Sequence, residues 1–279
     1  MLEALLTYRF LQNAVIAGLL ASVVCGIIGV IIVEKKLVMM SGGIAHTAYG
    51  GVGLGYLLGI EPMIGAFLFA VASAFGIGYV KRKGSVQSDV LIGLFWSLGM
   101  ALGIVFIAMM PGYPPDMNSY LFGNILSVTR ADLYLMVVLS VIVVAIVTIF
   151  FQLWKVYLFD DEFSGIIGIK SAMMEYVLLV LVALTIVVLI RVAGIILVLA
   201  LLTAPAATAG LFSKNLKSRM LLAIGFGIFF SLCGLAISYS LNIASGASIV
   251  IVSVVFCFGA SFLKGVAERR KREEQRKQG

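Results

Sequence analysis

The stretch "FLQNAVIAGLLASVVCGIIGVIIV", residues 10–33, carries no charge over its whole length and is closed by Arg9 on one side and Glu34, Lys35 and Lys36 on the other. At 1.5 Å per residue a helix of this length runs about 36 Å, more than the roughly 30 Å of a bilayer's hydrocarbon core. Apolar residues occupy every helical face, so no side is left for water, and continuous rather than alternating hydrophobicity excludes a barrel strand. The run is too long for a signal-peptide core and lacks a small-x-small cleavage site, so it is expected to be a first membrane span.

The rest of the chain has the same character. Of 279 residues, 62% are hydrophobic and 12% charged, with a mean hydropathy of +1.15; a soluble domain is about half apolar and about a quarter charged. The expected fold is an all-α integral membrane protein, a polytopic bundle of about eight or nine spans. Apolar windows place these near 10–33, 43–59, 62–80, 90–110, 132–151, 173–190, 192–212, 219–241 and 246–263. With nine spans, the basic connections at 34–36, 81–83, 152–172 and 213–219 and the basic tail all fall on one side. The positive-inside rule makes that side the cytoplasm and puts the N-terminus outside. Residues 1–263 form one membrane domain and 264–279 a cytoplasmic tail. That tail has seven Lys/Arg against three Glu, and so supplies +4 of the net +7. Such a charge suits anionic lipid head groups and is not a nucleic-acid signal.

Two segments fit this scheme less simply. Residues 43–59 hold Gly43, Gly50, Gly51, Gly53, Gly55 and Gly59, which suits an interrupted span, a segment that enters only part of the bilayer, or close helix approach of the small-xxx-small kind. The junction at Arg191 is so tight that the spans around it make either two crossings or a bent pair. Two connections exceed what a turn needs. "PGYPPDMNSYLFGNILSVTRAD", 111–132, is expected outside, with "SYLFGNIL" as a short interfacial segment. "QLWKVYLFDDEFSGIIGIKSAMME", 152–175, is expected inside, where Asp160, Asp161 and Glu162 open a short helix that Gly168 ends. A capped cytoplasmic helix of this kind suits the docking of a soluble partner.

Enzyme chemistry has no motif support: HExxH, GxSxG, the phosphate-loop pattern and CxxC are all missing from the sequence. Cys25, Cys233 and Cys257 lie in separate apolar runs and are expected to be packed thiols. Glu61, Asp89, Asp132, Glu175 and Arg191 sit at span ends, which argues against a self-contained secondary carrier, since ion-coupled carriers keep ionisable groups within their spans. His46 is the exception. It is the chain's one histidine, set in an apolar segment, and either lines a pathway as a metal ligand or hydrogen-bonds a neighbouring helix. Met39, Met40, Met100, Met109 and Met110 suit packing better than a soft-metal path.

Three stretches together resemble the membrane subunits of bacterial ABC importers for zinc, manganese and iron(II). "SYLFGNILSVTRADL", 119–133, is similar to that family's external loop; "RVAGIILVLALLTAPAATAGLF", 191–212, to its "VGxLLVxALLxxPAATA" segment; and "FDDEFSGIIGI", 159–169, to its cytoplasmic "FDPEFAxxxGV". The resemblance implies a homodimeric permease in the bacterial or archaeal plasma membrane. It implies a cytoplasmic ATPase dimer that binds and hydrolyses the ATP, an extracytoplasmic metal-binding protein, and no permanently bound cofactor. It also implies that Asp161, Glu162 and Gly168 belong to the helix that couples to the ATPase. The family writes the His46 region as "GDALSHAxLPG"; here its Asp position is Gly42 and its Pro position Gly50. Three explanations stay open: two His46 side chains sharing a path across the dimer, a transient site with few ligands, or a chelate or other small solute as cargo.

Overall fold

The computed structural model describes residues 8–84, 87–112, 118–123, 125–159 and 171–278. Ten α-helices occur among them: α1 (Arg9–Glu34), α2 (Val38–Leu58), α3 (Pro62–Lys83), α4 (Ser88–Met109), α5 (Asn118–Phe122), α6 (Arg130–Ile149), α7 (Phe151–Phe159), α8 (Ser171–Phe212), α9 (Leu216–Leu241) and α10 (Ser245–Gln278). Their ends follow local chemistry. Gly59, at φ +66°, stops α2 in the left-handed region, and Pro62 opens α3 where its missing N–H costs nothing. Thr129 and Asp132 form a reciprocal cap at the start of α6, and the Asn215 side chain accepts from the Lys217 N–H at the start of α9.

Seven helices are long and apolar enough to cross a membrane, α8 counted once at 42 residues. Ion pairs show that α8 is two crossings. Glu175, near its start, accepts from Lys81 Nζ and Arg82 Nη2 at the end of α3, each at 2.7 Å. Arg191 instead meets Glu61 at the opposite end of α3 and Asp132 at the start of α6. At the far end of α8, the Leu211 carbonyl accepts from Lys264, and Arg219, just beyond in α9, pairs with Glu34 at the end of α1. The chain therefore travels the bundle from 171 to 193 and returns from 195 to 212. Gly194, at φ 72° and ψ 161°, is the reversal.

The helix α2 stands outside these seven: its 21 residues run about 31 Å, long enough to span, but it is less apolar than they are. With α8 folded back at Gly194, the seven give eight apolar arms of spanning character among the described residues, and α2 is a further helix of spanning length. The glycine-rich segment is not interrupted: it begins at Val38, five residues before the expected 43, and runs as one helix to Leu58. Its glycines allow close helix contact. A Cβ on Gly51 would stand 2.1 Å from the Gly65 carbonyl oxygen of α3, and one on Gly50 would stand 2.5 Å from that of Gly99 in α4. Thr47 Oγ1, within hydrogen-bond distance of the Gly43 and Phe95 carbonyls, ties α2 to α4 at the same level.

The buried centre is α1 and both arms of α8, while Leu94 and Leu98 of α4, Val141 of α6 and Phe258 and Phe262 of α10 point outward. The expected interfacial segment is α5 and a 3-10 turn, Ile125–Ser127, and it packs on protein: Gly123 lies against the Ala193 and Gly194 backbone. The expected inner loop holds a further helix, α7, with Trp154 and Tyr157 buried. The helix α10 continues through the residues read as a tail.

Candidate functional site

His46 lies eight residues from the start of α2 and twelve from its end, about 12 and 18 Å along the axis, so it sits near mid-span. Its ring stacks on Trp96 of α4, centroids 3.8 Å apart and planes inclined by 15°. Its Nδ1 is buried and has no hydrogen-bond partner. The expected alternative, a histidine that hydrogen-bonds a neighbouring helix, therefore finds no support at this nitrogen. The indole also faces Gly42, one turn earlier on α2, where a Cβ would meet Trp96 Cζ3 at 3.1 Å.

The sequence pattern singles out His46 and Gly42 and leaves Trp96 unmarked. Trp96 stands in an apolar run, and nothing near it signals register with α2. That register comes from Gly50 on Gly99 and Gly53 on Gly103, contacts whose partners are visible only in three dimensions. Among the described residues no three His, Cys, Asp or Glu side chains gather as a metal cluster. The methionines do not converge either, since Met40 is in the core and Met39 is half exposed. Cys25, Cys233 and Cys257 are free thiols.

Among the described residues, the charged side chains gather at the two ends of the bundle. At the basic end Glu175 is buried beneath Lys81 and Arg82, and Lys35 lies over the Tyr157 ring at 3.9 Å. Lys35, Lys81, Arg82, Tyr157, Ser171 and Glu175 line a cavity of about 340 Å³ there. Asp161, Glu162 and Gly168, expected to couple to an ATPase, lie outside the described residues. The elements on either side, α7 and the start of α8, reach this basic end. At the other end Arg191 joins Glu61 to the buried Asp132, and the Tyr56 and Tyr120 hydroxyls meet at 3.1 Å. Burial first, then the Tyr56 hydrogen bond, pushes the Tyr120 hydroxyl's pKa above its ordinary value, so it stays protonated.

Long apolar helices, charged groups gathered at both ends and a histidine in mid-helix define a polytopic membrane protein. The chain belongs to the ABC 3 transport family, whose pattern spans residues 7–264. It is a multi-pass cell-membrane protein, the permease component of an ABC transporter. It is 41% identical over 94% of its length to an uncharacterized membrane protein of Synechocystis, covering 95% of that protein. It is 35% identical to the manganese transport system membrane protein MntC of Listeria monocytogenes, over 98% of both chains. The structure of PsaBC from Streptococcus pneumoniae in complex with Fab superposes with a TM-score of 0.84 at 34% identity, covering 93% of each chain.

Proposed function

We propose that this chain is the membrane subunit of an ATP-driven importer for a divalent transition metal. It works as a homodimer with two cytoplasmic ATPase subunits and an extracytoplasmic metal-binding protein. The observation that carries this is likeness along the whole chain to a protein named for manganese transport, 35% identical across 98% of both. Manganese is accordingly the first cargo to test, with zinc and iron(II) beside it.

The work of this subunit is conformational. ATP binding and hydrolysis by the partner favour different access states, and the difference reaches the membrane through the acidic segment containing Asp161, Glu162 and Gly168. The flanking helices suit this role, since α7 is anchored by the buried Trp154 and α8 is held to α3 by Glu175. Backbone contacts between α2, α3 and α4 make those helices shift as one unit, carrying His46 between the two sides. A cation passing His46 meets a neutral nitrogen donor near the middle of the span.

The deciding experiment is uptake by the complete complex in vesicles, with manganese, zinc, iron(II) and a metal chelate offered in turn. ATP-dependent uptake of free metal is expected. Uptake without ATP would point to a secondary carrier, and uptake of chelate alone would move the cargo to that class. Glu162→Lys places a like charge or an unmatched one at the docking face, where such changes cost several kcal/mol. Transport-linked ATP hydrolysis should fall by about tenfold or more, with the melting temperature of the permease unchanged. Full coupling in this variant would remove Glu162 from the docking helix.

A further inference from the structure

The helix neighbours of His46 on α2, three and four residues away, are Gly42, Gly43, Tyr49 and Gly50, so α2 itself brings no carboxylate to the imidazole. The side of His46 toward α4 is taken by the Trp96 indole, stacked at 3.8 Å. The same indole stands 3.1 Å from where a Cβ on Gly42 would be, so a side chain at 42 presses on the indole, which must give by a few tenths of an ångström. This arrangement is held in place: Gly50 on Gly99, Gly53 on Gly103 and the Thr47 hydroxyl on the Phe95 carbonyl fix α4 against α2 on the same face.

We infer that Trp96 is a specificity-determining residue of the cation path: it holds the His46 ring by its face and crowds the adjacent turn of α2, where Gly42 brings no oxygen donor. The inference rests on the metal-import reading above. A cation on the imidazole Nε2, about 2.1 Å from it, lies about 5 to 6 Å from the indole centroid, within reach of a cation–π attraction. The ion is then met by one nitrogen and an aromatic face. With no hard carboxylate in reach, such a site orders first-row ions by their affinity for nitrogen, zinc above iron(II) and manganese last. Zinc therefore competes strongly with manganese for passage.

Two measurements test this on the complete complex. The chain has two tryptophans, Trp96 and Trp154, so subtracting the emission of Trp96→Phe from that of the native complex isolates Trp96. Manganese chloride should quench this difference emission saturably, and His46→Ala should abolish the saturable part. In vesicles, Trp96→Leu should slow uptake of manganese and zinc alike by about tenfold, through loss of the aromatic face. The double variant Gly42→Asp/Trp96→Val, which exchanges the indole for a carboxylate, should raise the manganese-to-zinc uptake ratio by about tenfold. An unchanged ratio in a folded double variant overturns the inference. So does a native complex that transports manganese while Trp96 emission ignores it, a test that needs no double variant to fold. A native complex that moves none of these metals overturns the import reading itself, whereas transport without the Trp96 effects overturns only the role of Trp96.

Discussion

Gly194→Ala should leave almost no folded protein. Two independent costs fall on this residue. Its φ of 72° with ψ of 161° lies in a region essentially reserved for glycine, where a side chain costs about 1–3 kcal/mol. Separately, an added Cβ would stand 2.3 Å from the Gly123 nitrogen and 2.6 Å from the Phe122 carbonyl carbon, and both neighbours are backbone. No rotamer change relieves a backbone clash, so the segment around α5 would have to lift off the reversal. Gly123, itself at φ +66°, is pressed equally closely on Ala193, and Phe122 supports Gly246 of α10. Displacement would thus spread from α8 to α5 and α10. The sum exceeds about 4 kcal/mol, in the range that unfolds marginal proteins. The readout is the yield of monodisperse protein after detergent extraction, with its melting temperature. Gly210→Ala is the comparison, because its Cβ would meet only the flexible end of Arg219 at 3.0 Å. A Gly194→Ala variant melting within a few degrees of the native chain would mean the reversal tolerates a Cβ.

This reversal also marks how far sequence carries. The apolar runs and basic junctions locate the long apolar helices because lipid constrains every span alike: each must be long, uncharged and internally hydrogen-bonded. Glu61, Asp132, Glu175 and Arg191 are legible as end residues for the same reason, and the structure pairs all four. What periodicity leaves open is pairing between helices. The junction near Arg191 reads as either a bend or a turn, and only the partners of Glu175 and Arg191 decide it. Likewise the glycines of α2 suit a broken segment as well as a closely packed one until Gly65, Gly99 and Gly103 are found opposite them. Helix-to-helix register in a membrane rests on shape rather than on a hydrophobic stripe, so a single chain's pattern carries little of it. Trp96 is invisible in the sequence for this reason, whereas His46 is conspicuous as the one ionisable side chain within a span.

His46→Ala should abolish metal uptake while sparing the fold, and these two effects can be separated by magnitude. On the structural side the variant loses a ring stacked on Trp96, an interaction of about 0.5–1.5 kcal/mol beyond its area. The α2–α4 contact survives, because it is made by Gly50 with Gly99, Gly53 with Gly103, and Thr47 with Phe95. The melting temperature should therefore fall by only a few degrees. Function has no such reserve: among the described residues nothing else assembles as a metal cluster, and the span's one imidazole is gone. Uptake should drop by about a hundredfold or more, past the 10- to 100-fold typical for losing a mere supporting group. His46→Gln separates ligation from hydrogen bonding. Glutamine keeps polar atoms of similar reach but offers no neutral nitrogen ligand. With Nδ1 lacking any partner, there is no hydrogen bond for it to restore. Uptake by His46→Gln should stay as low as that of His46→Ala, measured as ATP-driven accumulation of manganese in vesicles at equal protein content. Recovery to native rates in the glutamine variant would show that the imidazole packs and bonds but never holds the ion.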